Sequence, residues 1–101
     1  MKKLFLLNPD FQDIKLSAEN KYFCPPGTLI EGLLSFYPRL RNELEVHYVD
    51  FVRPRPAIID LIGEENQSCP VLIFDDGTFI NEPNDIVRYL AENHQIAQSH
   101  Y

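Results

Sequence analysis

Two cysteines are the residues of this sequence best suited to covalent chemistry, and each stands beside proline. Cys24 precedes Pro25 and Pro26, and Cys69 precedes Pro70. The thiolate is the nucleophile in thiol chemistry, and a helix N-terminus stabilises it because the dipole and the free amides favour negative charge. Proline is tolerated in the first helical turn, so a helix is predicted directly after Cys24. Cys24 is therefore the candidate nucleophile.

Composition and charge limit the classes of protein to which the chain can belong. It has 101 residues, of which 45% are hydrophobic and 24% charged, and its formal net charge is −6. This predicts one globular domain that avoids nucleic acid and anionic membranes. No apolar run approaches the roughly 20 residues of a membrane helix, so we expect a cytoplasmic protein. Two cysteines without clustered histidines predict neither a disulfide scaffold nor a zinc site.

The elements that must position Cys24 are a strand before it and a helix after it. An apolar run over Lys3–Leu7 predicts the first strand, which an Asn-Pro pair ends. The polar stretch 10–21 predicts a long loop. The helix that follows carries a broad apolar face at helical spacing, and Pro38 should kink or divide it.

The second half of the chain places Cys69 between further strands and helices. Two strands joined by a long helical crossover are parallel, with a right-handed connection. An Asp-Gly hairpin signal at 76–77 predicts that the strands on either side of it pair antiparallel. The predicted elements are a strand at 45–51, a helix at 57–62 stopped by Gly63, strands at 70–74 and 78–80, and a helix at 83–93. A mixed four-stranded α/β sheet results.

Three segments carry a resemblance to a known family. Residues 23–27 stand where glutaredoxins have an aromatic residue and Cys-Pro-x-Cys, and residues 69–72 resemble a Val-Pro-x-Leu segment with a cis proline. Residues 75–90 are similar to the turn, Glu-Ser and Ile-x-x-Tyr-Leu helix of glutathione transferases. The chain thus resembles the thioredoxin-like superfamily, and also an uncharacterised family of small proteins of this fold. The resemblance implies a three-layer α/β/α fold, βαβ followed by αββα, in one domain over residues 1–101.

The resemblance implies a redox role for Cys24 but leaves its partner thiol open. Gly27 stands where the family has its second cysteine, so a dithiol cycle within the motif cannot run. Glutathione is one source of a thiol, as the co-substrate of single-cysteine glutaredoxins. Cys69 is the other, because a cis Pro70 would bring its loop against the first helix and allow a reversible disulfide with Cys24. Alternatively, Cys69 is a small buried hydrophobe.

The resemblance also implies a substrate site around the thiol. Pro83 replaces the serine that holds the glutathione carboxylate in the transferases, but the amides of Asn84 and Asp85 can donate to a carboxylate instead. Arg53 and Arg55 can bind an anionic partner through paired hydrogen bonds, or form part of a solvated loop. The predicted catalytic residues are Cys24, Cys69 and Pro70, and the predicted substrate-binding residues are Gly27, Thr28, Arg53, Arg55, Glu82 and Asn84.

Two functions from different classes follow from these residues. The first is a thiol-disulfide oxidoreductase similar to single-cysteine glutaredoxins, with a small thiol or a protein thiol as partner and no cofactor beyond glutathione. The second is a non-catalytic binding or homodimerisation module on the same fold, favoured by the loss of the second cysteine. A complete glutathione transferase is not expected, because its helical second domain would need on the order of another domain's length.

Overall fold

A mixed four-stranded sheet organises the fold in the computed structural model, which describes residues 1–100. The strands are β1 (Lys3–Leu7), β2 (Phe11–Asp13), β3 (Ser17–Tyr22), β4 (Glu45–Val49), β5 (Val71–Ile73) and β6 (Phe79–Ile80). The helices are α1 (Pro25–Phe36), α2 (Leu40–Glu43), α3 (Pro56–Ile62) and α4 (Pro83–Asn93). The sheet order is β4-β1-β5-β6, with β1 and β4 parallel and the other two pairs antiparallel. The predicted mixed sheet is therefore confirmed.

Helices cover both faces of this sheet. Side chains alternate along β1, so that Leu4 and Leu6 join one buried cluster and Phe5 joins another. The first cluster includes Ile30 of α1 together with side chains from α2 and α4. The second cluster includes Ile58 of α3. The central strands are consequently buried on both sides, as their continuous apolar sequence requires.

Local signals account for the helix boundaries. α1 begins at Pro25 and ends at Phe36, and the short helix α2 follows Pro38, so the predicted division is confirmed. α3 begins one residue earlier than predicted and ends at Ile62, before Gly63, whose φ of 91° is accessible to glycine. α4 spans Pro83–Asn93, as predicted.

The long loop predicted over 10–21 is wrong, because this stretch forms the β2–β3 hairpin. The Asp13 carboxylate accepts from the Lys15 amide at the turn, and Phe11 stacks on Phe51 with ring centroids 4.4 Å apart. Most of β3 is exposed, so no apolar alternation reveals it in the sequence. Backbone pairing between β2 and β3, rather than burial of apolar side chains, defines this hairpin.

The strands of the main sheet are shorter than the predicted segments. β4 ends at Val49 instead of continuing to residue 51, because β1, its partner, ends at Leu7. The chain then leaves the sheet, which frees Phe51 to stack on Phe11. β5 and β6 likewise occupy only part of the predicted strands 70–74 and 78–80. Within residues 1–100, no helix has the length and apolar character needed to cross a membrane.

Candidate functional site

Cys24 lies immediately before α1, at its N-cap position. Its backbone is extended, its carbonyl accepts from the Thr28 amide at 2.9 Å, and its side chain is partly exposed. The sulfur turns back over the first helical turn, since Sγ lies 3.5 Å from the point that a Cβ on Gly27 would occupy. A thiolate here would face the positive end of the helix dipole. Phe23, before the cysteine, is exposed.

Cys69 lies beside the second cluster of the core and precedes a cis peptide bond to Pro70, as the resemblance implies. Burial raises the pKa of the Cys69 thiol to about 11, Arg55 partly offsets this, and the neighbouring Cys24 adds to the rise. Both cysteines are free thiols in this structure. The disulfide between them stays a prediction.

Arg55 completes this group, and the sequence left two alternatives for it, an anion-binding residue or part of a solvated loop. It is 6% exposed, so the solvated-loop alternative is wrong for Arg55. Its guanidinium donates to the carbonyls of Asp50, Phe51 and Gln67, while its amide donates to the Gln67 side chain at 2.8 Å. Burial is the largest influence on the pKa of Arg55 and lowers it. Cys69 and Cys24 oppose this decrease, whereas Arg53 adds to it. We call Cys24, Cys69 and Arg55 the thiol–arginine cluster.

The N-terminus of α4 is already capped by its own chain. The Glu82 carboxylate accepts from the Asn84 amide at 3.2 Å, and the Glu82 carbonyl accepts from the Asp85 amide at 3.0 Å. The expectation that these two amides are free for a ligand carboxylate is therefore wrong. Glutamate two residues before an amide can reach it locally, and a bound carboxylate would have to displace it.

Two grooves open beside the cluster. One, of about 360 Å³, lies between the starts of α1 and α4 and is lined by Pro25, Pro26, Leu29, Glu82, Pro83, Asn84 and Val87. The other, of about 490 Å³, includes exposed Arg53 and follows the end of β4 past Arg55. Of the predicted substrate-binding residues, Glu82 and Asn84 thus share one groove and the two arginines share the other. Thr28 is exposed on the first turn of α1.

The site also contains groups that the sequence analysis missed. Gln67 accepts from Arg55 through both its side chain and its carbonyl, and its side-chain nitrogen donates to the Glu64 carbonyl. No local sequence pattern reveals this role, because every residue type carries the same backbone carbonyl. Among residues 1–100, no three His, Cys, Asp or Glu side chains are grouped to hold a metal ion.

Comparison with known proteins finds one family. A family model described as "Protein of unknown function (DUF3088)" matches residues 1–98. No curated protein and no solved structure matches the chain.

Proposed function

The chain belongs to the DUF3088 family, whose function is unknown, and we propose that it is a thioredoxin-like thiol-disulfide oxidoreductase with Cys24 as its nucleophile. The thioredoxin-like assignment is supported by the parallel β1–β4 pair joined through α1 and by the antiparallel β5–β6 pair before α4. The cis peptide bond before Pro70, at the start of β5, also agrees with it.

The position of Cys24 is the single observation that carries the catalytic proposal. A partly exposed cysteine at a helix N-terminus combines access for a substrate disulfide with stabilisation of the thiolate. Cys69 lacks these properties, since burial keeps it a neutral thiol at physiological pH.

The proposed reaction is two successive thiol-disulfide exchanges. The Cys24 thiolate attacks one sulfur of a mixed disulfide, the S–S bond breaks, and the departing thiolate takes a proton from solvent. Cys24 then carries the glutathionyl group. A second glutathione thiolate attacks this new disulfide, releasing oxidised glutathione and regenerating the Cys24 thiolate. An external thiol resolves the intermediate because Gly27 offers none and Cys69 is protonated.

Turnover of a glutathione mixed disulfide tests this proposal. The assay uses reduced glutathione as the reductant and compares the wild type with Cys24→Ser and Cys69→Ser. We expect Cys24→Ser to abolish turnover and Cys69→Ser to retain most of it. Wild-type turnover no higher than that of Cys24→Ser would reject the enzyme. Loss of turnover in folded Cys69→Ser would instead assign the resolving thiol to the chain itself.

Exposed apolar side chains favour a docking module as the second candidate. Phe23 is 60% exposed, Leu29 57% and Phe36 83%, and the latter two share one face of α1 at a spacing of seven residues. A homodimer contact or a protein partner would cover them. Light scattering distinguishes this function: a dimer that Phe36→Ser converts to a monomer, in a protein without turnover, would favour it.

A further inference from the structure

The groove at the starts of α1 and α4 continues along α4. A second groove, of about 510 Å³, lies between α1, α4 and the segment after α4. It shares Leu29, Asn84 and Val87 with the groove at the helix starts, so the two adjoin. Together they run from Pro25 to Glu92, on the last turn of α4. We call this continuous surface the α1–α4 groove.

The floor of the α1–α4 groove is apolar. Val87 belongs to the first cluster of the core, and Ala91 packs against that cluster. Leu29, by contrast, is 57% exposed, so part of the apolar lining is uncovered. The prolines that begin both helices extend this lining toward the candidate nucleophile. A ligand therefore gains free energy by placing an apolar side chain in the groove.

Two carboxylates of the groove lack a cationic partner. The charged side chains that line it are Glu82, Arg88 and Glu92. The Asp85 carboxylate neutralises Arg88 at 2.8 Å. Among residues 1–100, no cation forms an ion pair with Glu82 or Glu92. Two negative charges thus remain, one near the start and one near the end of α4.

A cationic peptide segment fits this groove better than an anion or a second copy of the chain. The two carboxylates would repel an anionic ligand, and a second copy would bring its own net charge of −6. Lysine or arginine side chains would instead pair with Glu82 and Glu92, and an apolar side chain between them would cover Leu29. The separate groove that includes exposed Arg53 remains for an anionic ligand such as glutathione.

The helix sets the spacing of these charges. Glu82 and Glu92 are separated along α4 by a rise of about 15 Å, which an extended chain covers in about five residues. We propose that the α1–α4 groove binds an extended protein segment with two cationic side chains at that spacing and an apolar side chain between them, and that this segment is the substrate presented to Cys24. The binding stands on the groove alone, whereas the role of the segment as substrate rests on the proposed function.

The exchange with such a substrate is the first step described above. Cys24 takes the glutathionyl group from the mixed disulfide, the S–S bond breaks, and the segment leaves as a thiolate that takes a proton from solvent.

Fluorescence anisotropy with defined peptides tests the binding. The probe is a labelled peptide with two lysines about five residues apart and a leucine between them, and its match has glutamates in place of the lysines. We expect the lysine peptide to bind at least about tenfold more tightly at low salt, and the difference to shrink at about 0.5 M salt. Equal affinities for the two peptides would overturn the proposal, and this comparison needs no substitution in the protein.

Three variants separate charge from apolar contact. Glu92→Lys should weaken binding of the lysine peptide about fivefold and reduce its salt dependence. Leu29→Ser should weaken it about fivefold and leave the salt dependence unchanged. Glu65→Lys is the matched control, because this exposed carboxylate follows α3, which packs on the other face of the sheet. A loss in Glu65→Lys equal to that in Glu92→Lys would reduce the effect to net charge and overturn the proposal.

Turnover is measured separately, with both peptides extended by a cysteine that carries glutathione. We expect a KM about tenfold lower for the lysine peptide at a similar kcat, because the groove binds ground state and transition state alike. Binding that depends on Glu92 in a protein without turnover would reject the oxidoreductase and support the groove. Turnover that does not distinguish the peptides would overturn the groove, as would a dimer that excludes the peptide.

Discussion

At the scale of single residues, Gly27 leaves room beside the Cys24 sulfur. A Cβ built on Gly27 would lie 3.5 Å from Sγ and 3.6 Å from Cβ of Cys24, both ordinary contact distances. Disulfides in proteins have Cβ atoms about 3.5–4.5 Å apart. The backbone of this motif could therefore hold a cysteine at position 27. The second thiol is missing because the sequence has glycine there, not because the fold excludes a side chain.

Gly27→Cys should accordingly convert the site to a dithiol. In a Cys69→Ser background equilibrated with oxidised glutathione, we expect a disulfide between Cys24 and the introduced thiol, detected by mass spectrometry as the loss of two thiol hydrogens. Gly32→Cys is the matched control, because position 32 lies farther along α1 and its Cβ would have open space around it. Glutathione adducts without an internal disulfide in Gly27→Cys would contradict the geometry.

Cys69 should titrate at much higher pH than an ordinary cysteine. Burial is the main cause that raises its pKa from 9.0 to about 11, so the thiolate fraction at pH 8 should be about 100-fold below that of a free thiol. In Cys24→Ser, we expect alkylation of Cys69 to be slow at neutral pH and to accelerate about tenfold per pH unit up to the pKa of about 11. A rate at pH 8 equal to that of glutathione would contradict this placement of the sulfur.

At the scale of elements, the start of α4 is stabilised by an internal carboxylate. Glu82 caps the helix through the Asn84 amide, and Pro83 occupies the first helical position. Both features set the helix start locally, because proline has no amide to leave unsatisfied and the glutamate reaches an amide two residues away. Capping and ligand binding therefore compete for the same amide at this helix end.

Removing the cap should destabilise the protein and open the amide. We expect Glu82→Ala to lower the free energy of unfolding in urea by about 1 kcal/mol, the usual contribution of an N-cap side chain. Glu92→Ala, on an exposed later turn of the same helix, should change it by less than about 0.5 kcal/mol. Equal losses in the two variants would show that the Glu82 contact contributes nothing measurable.

At the scale of the whole molecule, Arg39 joins the two halves of the chain. It donates to the carbonyls of His94 and Gln95, both at 2.7 Å, and pairs with Glu43 at 3.1 Å. The Glu43 carboxylate also contacts buried His94 at 2.8 Å. The hydrogen bond from His94, and then that from Arg39, holds the pKa of Glu43 below its usual value. These contacts attach the segment after α4 to α2.

Breaking this connection should cost more than breaking a surface pair. We expect Arg39→Met to lower the free energy of unfolding by about 2 kcal/mol, because two charge-assisted hydrogen bonds are lost. Arg41→Met, which removes an exposed pair with Glu31, should cost at most about 1 kcal/mol. Urea unfolding measures both losses, and a similar cost for the two arginines would argue against the connection.

The decline in the free energy of unfolding at acidic pH should also depend on Glu43. Because its folded pKa is lowered, its contribution is present above the unfolded value of about 4.5 and is lost as the pH falls through the folded value. Glu43→Gln should therefore flatten part of the decline in stability below about pH 4.5, as measured by urea unfolding at several pH values. The same decline in Glu43→Gln as in the wild type would contradict this.

The sequence alone determines the elements whose signals are local. β1 and α4 have the predicted bounds, and α1 begins at Pro25, because an apolar run and helix-starting prolines act on their own neighbours. The candidate nucleophile Cys24 is also readable, since its place before the helix depends only on adjacent residues. The mixed sheet follows from connection lengths and turn signals.

Only the tertiary structure determines the features that depend on backbone groups far apart in the sequence. The β2–β3 hairpin is defined by pairing and by the contact of Phe11 with Phe51, and Arg55 is buried because carbonyls of Asp50, Phe51 and Gln67 surround it. Every residue has a carbonyl, so no residue type marks those that accept from an arginine. The structure likewise connects Arg55 to Gln67, twelve residues later in the sequence, through two hydrogen bonds.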